Sequence, residues 1–384
     1  MDIQAERITP SDGHYFYGYY DNRAMTEDGR RHLFNKVGFM DRLQKAGDIC
    51  TLGYIVDGKE DSKIIGKSIA WNFQQGCMLE WDPVDDNFVY YNDYDEAANS
   101  YKSVHLNTET GIFSEIYYPL ADISPDGKWG LSINFPRIYD FRPGYGYCNT
   151  KDPGKNITAP KNDGIFLVNL ETGEGKLLIP YSEMARMFSL GESTDGCKVV
   201  INHITFNAES DRFVFLIRCF PKGRDEWVTG IGTSDLDGNV YVLRNYTFAS
   251  HYFWKENGIL LIYADCGEGD ALYELEDLSQ RYRIIARDFI REDLHCSYSP
   301  DRRWIIGDAY VDKDGKRPVY LYDTRTGKGD IIARFYSPIP SIMDIRTDLH
   351  IRWCPDGEHV TFDSIHEGFR GIYRMDLSDA FGKI

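Results

Sequence analysis

The sequence predicts an all-β chain folded as a seven-bladed β-propeller, with four-stranded antiparallel blades around a central channel. Three observations support this fold class. A hairpin signal recurs seven times along the 384 residues, a second turn signal follows several of these hairpins, and helical periodicity is scarce. Seven units over this length leave roughly 55 residues for each, which is typical of a propeller blade with its loops.

The first repeated signal is an apolar strand, a turn of the Pro-Asp-Gly type and a second apolar strand. Residues 123–127 (ISPDG), followed by Trp129, Gly130 and Leu131, are a clear copy. Proline presets φ for such a turn and glycine accepts a positive φ, so the signal indicates a hairpin. The seven turns lie at residues 25–29, 81–83, 123–127, 206–211, 253–258, 299–301 and 354–357.

The second repeated signal is an apolar strand that ends in Asn or Asp and turns through Thr-Gly. It occurs at residues 104–111 (VHLNTETG), 165–173 and 319–327. Two hairpins in each unit give four strands, so we expect one domain over residues 1–384. Residues 3–8 are expected to add the last strand of the final blade and close the ring, and 181–190 to form a short helix.

An insertion at about residues 135–163 interrupts the repeat. Its second part is rich in Pro, Gly, Lys and Asn. Long loops in compact folds commonly carry function. Arg137, Arg142 and Tyr145 in this insertion are suited to stack on an anionic sugar and hold it. The alternative interpretation is a surface loop whose aromatic side chains pack on one another.

Four histidines recur at one position of the repeating unit. The runs 293–301 and 348–357 both begin Asp-Leu-His, continue to an aromatic residue and reach Pro-Asp. Two weaker copies place a histidine three residues before an aromatic residue. Equivalent positions of successive repeats face the same feature, so these imidazoles are expected to converge at one rim of the channel. The four residues are His203, His251, His295 and His350.

Carboxylates accompany two of these histidines. Asp348 lies two residues before His350, and Asp293 lies two residues before His295, so each pair shares one face of a strand. Imidazole and carboxylate together suit a divalent cation such as Mn²⁺, although such a carboxylate also orients an imidazole or caps a tight loop. The spacing leaves these alternatives open, with His295, His350 and Asp348 as the candidate metal ligands.

Further side chains near the predicted mouth are candidate substrate contacts. His14 and Tyr20 belong to the first unit, and Gln75 precedes the second hairpin. By contrast, His32 and His359 fall on turns or outer strands and are expected to be exposed.

Composition limits the function classes. The net charge of −17 argues against non-specific binding to nucleic acid or to an anionic membrane. The eight cysteines are scattered without a Cys-x-x-Cys motif, which favours reduced thiols over a disulfide framework. The first residues show no basic region followed by an apolar run, so a cytoplasmic location is expected. The sequence does not indicate an oligomeric state.

Several of these stretches resemble the oligogalacturonate lyase family. The resemblance is carried by residues 250–254 (SHYFW), by the units around His295 and His350, and by the seven-hairpin pattern over most of the chain. Members of that family are seven-bladed propellers that cleave short polygalacturonates by β-elimination, with a metal held by histidines and a glutamine. The resemblance implies that His295 and His350 are metal ligands and that His251 belongs to the catalytic site.

The chain departs from the family pattern at three positions. Asp348 stands where the family has a further ligand histidine, and Ile345 stands near the place of its glutamine ligand. The family's catalytic arginine falls on Gly230, so the resemblance leaves Arg218 or Arg224 as its replacement.

These observations predict a carbohydrate-active lyase that cleaves uronate-containing oligosaccharides by β-elimination at the channel mouth. Such an enzyme must neutralise the uronate carboxylate, by a metal or an arginine, before the proton α to it is removed. His251 or His203 is the expected base, and a tyrosine is suited to protonate the leaving oxygen. The expected partner is an acidic oligosaccharide.

Two other functions fit the same fold. A glycoside hydrolase needs two carboxylates across the mouth, for which Asp21, Asp122 and Asp348 are candidates. A non-catalytic propeller that binds protein or sugar is the second, and fold alone does not decide between them. The converging imidazoles weigh against it. A peptidase-associated propeller lacks support, because the chain has no Gly-x-Ser-x-Gly motif.

Overall fold

A computed structural model describes residues 3–57, 62–256 and 258–384 of the chain. These residues form seven four-stranded antiparallel sheets, which confirms the predicted seven-bladed β-propeller. Asn257, in the turn of the fifth predicted hairpin, lies outside the described residues. Within the described part, none of the helices has the length and apolar character needed to cross a membrane.

Six of the seven blades are built from four consecutive strands. The chain starts with β1 (Glu6–Arg7), which belongs to the last blade. Blade 1 contains β2 (His14–Phe16), β3 (Arg31–Val37), β4 (Cys50–Val56) and β5 (Ser62–Ser68). Blade 2 contains β6 (Glu80–Trp81), β7 (Phe88–Asp95), β8 (Ser100–Asn107) and β9 (Phe113–Ile116). Blade 3 contains β10 (Leu120–Ile123), β11 (Trp129–Ser132), β12 (Gly164–Asn169) and β13 (Gly175–Pro180).

The remaining blades follow the same order from the channel outward. Blade 4 contains β14 (Val199–Phe206), β15 (Arg212–Cys219), β16 (Val228–Asp235) and β17 (Val240–Thr247). Blade 5 contains β18 (Ala249–Glu256), β19 (Ile259–Asp265), β20 (Asp270–Glu276) and β21 (Tyr282–Ile285). Blade 6 contains β22 (Leu294–Tyr298), β23 (Trp304–Ala309), β24 (Lys316–Asp323) and β25 (Lys328–Tyr336). Blade 7 contains β26 (Arg352–Trp353), β27 (His359–Ser364) and β28 (Gly371–Asp376), with β1 at its outer edge.

The last blade joins both ends of the chain. Strand β1 pairs with β28 in antiparallel register, with Glu6 opposite Arg374. His32 links this blade to the first, because its Nε2 lies 3.0 Å from the Thr361 hydroxyl. The expectation that His32 is exposed is therefore wrong: it is buried between two blades, and this burial lowers its pKa to about 3.

The repeated turn sequences owe their structure to local hydrogen bonds. In the third blade, the Ser124 hydroxyl donates to Asp126 and accepts from the Trp129 amide, and Gly127 takes a φ of 69°. Ser299 makes the same pair of bonds in the sixth blade, with Asp301 and the Trp304 amide. The Ser-Pro-Asp signal thus marks a turn that satisfies its own polar groups.

Apolar residues of neighbouring sheets form the core between blades. Val214 and Leu216 of β15 pack in one cluster with Leu260 and Ile262 of β19, and all four are fully buried. Each blade therefore covers the face of the next, and the ring leaves the first strand of each sheet along the channel.

Helical structure is limited to short segments. The helix predicted near residue 181 is confirmed as α2 (Tyr181–Met187). The insertion differs from the expected loop, because it begins with α1 (Phe135–Phe141) and a 3₁₀ turn (Pro143–Tyr145). Asn134 explains the helix start, since its side chain accepts a hydrogen bond from the Arg137 amide. A second 3₁₀ turn (Met343–Ile345) and α3 (Ser378–Phe381) complete the set among the described residues.

Candidate functional site

Four histidines from four blades meet on the channel axis. His203 lies in β14, His251 in β18 and His295 in β22, and His350 lies two residues before β26. The ring centroids of His251 and His295 are 3.9 Å apart, and those of His295 and His350 are 4.4 Å apart. The common repeat position of these residues thus places them together, and all four side chains are buried.

Tyr19 connects His203 to the other three histidines. Its ring stacks on His203 at 4.5 Å and meets His350 at 4.9 Å, and its hydroxyl is 2.7 Å from His203 Nε2. Tyr20 lies beside it, with its ring 5.5 Å from that of His295. The run of tyrosines at positions 15–20 was the sequence signal for both residues.

His295, His350 and Asp348 form a cluster with the geometry of a metal site. One ligand atom from each residue lies within 4.8 Å of the others, and all three side chains are buried. The Nε2 atoms of both histidines have no hydrogen-bond partner. Burial lowers the pKa of His295 and of His350 well below the usual range, so their nitrogens keep free lone pairs at neutral pH. This donor set fits a divalent cation.

Asp348 is held by two arginines as well. Arg346 Nε donates to Oδ1 at 3.0 Å and its Nη2 lies 2.6 Å from Oδ2, while Arg317 pairs with Oδ1. Burial opposes ionisation, but the two guanidiniums hold the pKa of Asp348 well below its usual range. The residue is therefore a permanent anion beside the imidazoles, and its Oδ2 faces His350 Nε2 at 3.9 Å.

Asp308 supports this cluster from behind and was missed by the sequence reasoning. Its Oδ2 lies 3.1 Å from His295 Nδ1, which fixes the ring with Nε2 toward the cluster. Its carboxylate also accepts from the amides of Leu349 and Ile351. These bonds hold the chain on both sides of His350, whose φ of 45° is rare for a residue with a side chain. Asp308 pairs with His295 across two strands, a register that only the fold provides.

His251 has the surroundings of a general base. Its Nδ1 lies 3.0 Å from Oδ1 of Asp293, so the ring is oriented with Nε2 as the acceptor nitrogen. The Ser250 hydroxyl is a further contact of Nδ1 at 3.1 Å. Asp293, which the sequence placed beside His295, thus serves His251 instead.

Arg218 is a buried guanidinium without a carboxylate partner among the described residues. Its side chain is 2% exposed, its Nε bonds the Thr229 hydroxyl at 3.2 Å, and its Nη1 has no partner. Burial, together with Arg142 nearby, lowers its pKa to about 10. A buried unpaired cation is costly, so its presence beside the histidines indicates a site for an anion.

Three further side chains, Arg142, Tyr145 and Tyr310, lie with Arg218 and the histidines. We call this set of residues the anion-binding wall. Arg142 lies 4.0 Å above the Tyr145 ring, which in turn is 5.6 Å from that of His203. The Tyr145 hydroxyl accepts from Arg346 at 3.2 Å. Tyr310, which the sequence reasoning missed, has its ring 6.3 Å from that of His251 and is partly exposed. The mouth thus combines imidazoles, guanidiniums and phenols.

Arg137 does not lie at the mouth, which corrects its interpretation as a substrate contact. Its side chain is fully buried and pairs with Asp152 at 3.2 Å. The remaining guanidinium nitrogens donate to the carbonyls of Val199, Ile157 and Thr158. All its donors are used within the insertion and β14, so Arg137 fastens the insertion to blade 4.

Three other predicted residues lie at the edge of the cluster or outside it. Arg224 is exposed in the loop after β15 and contacts none of the four histidines in the described part of the chain. His14 is the first residue of β2, and burial lowers its pKa. Gln75 lines a small cavity with Tyr19 and His203.

Comparisons with known proteins show that solved structures share the fold that carries this site. No family model matches the sequence, and no curated protein matches it either. A solved oligogalacturonate lyase in complex with manganese superposes with a TM-score of 0.71, over 99% of this chain and 98% of that one, at 14% identity. The chain shares the fold of the oligogalacturonate lyases over its whole length. An oligogalacturonate lyase from Vibrio parahaemolyticus gives a TM-score of 0.69 with the same coverage and identity.

Proteins of other activities share the propeller. The β-propeller domain of a protease from Pyrococcus furiosus matches with a TM-score of 0.54 over 94% of this chain and 96% of that one, at 11% identity. A xyloglucanase from Xanthomonas campestris has a TM-score of 0.53 over 98% of this chain and 54% of that one, at 12% identity. At these identities the likenesses define the fold, and the function must be argued from the site.

Three carboxylates lie toward the other end of the channel. Asp21, Glu80 and Asp122 line a cavity of about 280 Å³ near the carboxyl ends of the inner strands, together with Trp254. Burial raises the pKa of Asp21 to about 6 and of Glu80 to about 8, and raises that of Asp122 well above its usual range. Asp348, the third hydrolase candidate, does not line this cavity.

Glu80→Gln is expected to stabilise the protein at alkaline pH. The folded-state pKa of about 8 exceeds the ordinary value of 4.5, so the folded chain binds the extra proton between these values and loses stability as pH rises through that window. Glutamine mimics the protonated acid, so the variant gains on the order of 3 kcal/mol at pH 8 and nothing near pH 4. Urea unfolding across this range measures the gain, with the exposed Glu27→Gln as control. An unchanged pH profile would contradict the assignment.

Proposed function

We propose that this protein is a lyase that cleaves uronate-containing oligosaccharides by β-elimination at the histidine mouth of the channel. The observation that carries the proposal is the unpaired guanidinium of Arg218, which is buried close enough to His203 to lower the pKa of that imidazole further, after burial itself. An anion-binding cation next to a base is what removal of a proton α to a carboxylate requires. The named activity of the two solved lyases with this fold agrees with it.

A divalent metal fits the proposed enzyme. His295, His350 and Asp348 would hold it, since one ligand atom of each lies within 4.8 Å of the others and the Nε2 atoms of both histidines have no hydrogen-bond partner. The solved lyase bound to manganese makes that metal the first to test. Such a cation supplies positive charge to the substrate carboxylate, which makes the adjacent C–H bond more acidic.

Arg218 and His251 have complementary roles in the proton removal. The Arg218 guanidinium binds the uronate carboxylate and stabilises the negative charge that develops when the proton leaves. His251 accepts the proton at Nε2, and Asp293 stabilises the imidazolium that forms, through the 3.0 Å contact with Nδ1.

The leaving sugar oxygen needs a proton as the bond to it breaks. Tyr19 is suited to donate it, because burial raises the pKa of its hydroxyl well above the usual range and keeps it protonated. His203 Nε2 lies 2.7 Å from that hydroxyl and holds it in position. His251 and His203 thus take separate roles, as the base and as the group that positions the tyrosine, which regains its proton from solvent after the sugar leaves.

Incubation with short oligogalacturonates tests the proposal. β-Elimination leaves a 4,5-unsaturated uronate, which absorbs in the ultraviolet, so absorbance must rise together with new reducing ends. The increase should disappear in His251→Ala. Reducing ends without absorbance would show hydrolysis instead, and binding without turnover would show a non-catalytic propeller.

Hydrolysis is the second candidate because of one specific observation. Asp21 and Asp122 share a cavity with Trp254, and burial together with the charges of Glu80 and Asp21 raises the pKa of Asp122. One protonated and one ionised carboxyl is the arrangement that glycoside hydrolysis uses. A hydrolytic activity that survives His251→Ala and is lost in Asp21→Asn would support this alternative.

A further inference from the structure

An aromatic platform lies beside the histidine mouth. We use this name for Phe141, at the end of α1, and for Phe220 and Trp227, at the two ends of the loop between β15 and β16. The ring centroids are 4.8 Å apart for Phe141 and Phe220, 5.8 Å for Phe141 and Trp227, and 5.9 Å for Phe220 and Trp227. Phe220 and Trp227 are each 38% exposed, so part of each ring faces solvent.

The aromatic platform is continuous with the anion-binding wall. The Trp227 ring centroid is 5.3 Å from the guanidinium of Arg142 and 5.3 Å from that of Arg218. Arg142 also lies over the ring of Tyr145, which faces His203. A ligand that extends outward from Arg218 therefore passes Trp227 next.

Arg142 is available to a second anion. Its guanidinium contacts aromatic rings but has no carboxylate partner among the described residues. The chain carries a net charge of −17, so cations without acidic partners at one mouth concentrate an anionic ligand there against the overall repulsion. The face of a pyranose ring presents C–H groups that pack on aromatic rings, and each uronate adds one carboxylate.

We propose that the aromatic platform and Arg142 form a second sugar subsite, which binds a further uronate ring of the oligosaccharide next to the ring held by Arg218. Trp227 stacks on the pyranose and Arg142 pairs with its carboxylate. This inference rests on the proposed function, since it assigns the ligand of the same mouth. It makes a chain of two or more uronates a better ligand than a single one.

Calorimetric titration with galacturonate, its dimer and its trimer tests the subsite. The titrations use His251→Ala as parent, which lacks the proposed base and keeps the metal cluster. Affinity is expected to rise from monomer to trimer in the parent. Adding Trp227→Ala should weaken trimer binding about tenfold and leave monomer binding unchanged, as expected for a lost stacking contact. Trp227→Phe should retain most of the affinity.

Two comparisons separate the possible outcomes. Phe113→Ala, which removes a ring 59% exposed on the outer strand of blade 2, should change neither affinity. If Trp227→Ala weakens monomer and trimer equally, Trp227 only positions Arg218 and the subsite is refuted. If the parent binds uronates and Trp227→Ala changes nothing, the subsite alone is refuted. If the parent binds no uronate of any length, the proposed function fails as well.

A separate measurement tests the proposed contact between Arg142 and the carboxylate of the second sugar. Arg142→Ala should remove the preference of the subsite for an acidic sugar. The variant should bind trigalacturonate more weakly and bind neutral galactotriose as the parent does. Equal losses for both ligands would assign Arg142 to support of the Trp227 ring rather than to a carboxylate.

Discussion

His295→Ala is expected to abolish divalent metal binding and to reduce lyase activity at least about 100-fold, because loss of a group that merely supports a metal ligand already costs 10–100-fold. The substitution removes one of the two orphaned Nε2 atoms that define the cluster. Bound metal is measured by elemental analysis of the purified protein. Added manganese should raise the melting temperature of the wild type and not that of the variant, since a ligand stabilises only the protein that binds it.

His359→Ala is the matched control for this prediction. His359 lies on β27 and bonds Asp356 at the surface, away from the channel. It should keep the metal content and the activity of the wild type. Full metal occupancy in His295→Ala would show that this cluster is not the metal site. Arg218 alone would then have to neutralise the substrate carboxylate during proton transfer.

Arg218→Met is expected to lower kcat/KM by about 100- to 1000-fold, which is the usual effect of deleting a group that stabilises developing negative charge. The same change should raise the free energy of unfolding by about 1–2 kcal/mol, because an unpaired buried cation is replaced by an apolar side chain of similar length. Activity and stability thus move in opposite directions, as measured by steady-state kinetics and urea unfolding.

Arg224→Ala separates the two arginines that the sequence left open. Arg224 is exposed on its loop, so its removal should change neither stability nor turnover by more than a small factor. A large loss of activity in Arg224→Ala, with a normal Arg218→Met, would mean that the loop closes over the substrate and that Arg224 binds the carboxylate.

Much of the architecture was predictable because its signals are local. The Ser-Pro-Asp turn at Ser124 and the Asn-Thr-Glu-Thr-Gly turn at Asn107 form hydrogen bonds within five residues of themselves. A sequence pattern suffices to read such turns. The helix at the start of the insertion was missed, although Asn134 and Pro136 form an N-terminal cap signal of the same local kind.

The candidate site was predictable only in part. The four histidines were found because repetition places equivalent residues on equivalent strands. Asp308 was missed because its bond to His295 depends on the register between β22 and β23. Arg137 was misplaced because composition does not tell whether an arginine reaches solvent or, as here, folds back onto Asp152.

By itself, the sequence determined the number of blades, the blade to which each histidine belongs and the acidic overall charge. Tertiary structure decided which side chains face one another across the channel: Tyr19 against His203, Asp293 with His251, and Arg218 left unpaired. The physical reason is range. Turns and strand alternation depend on neighbours a few residues apart, whereas contacts across the channel, such as that of Tyr19 with His350, join distant parts of the chain and exist only once the ring has closed.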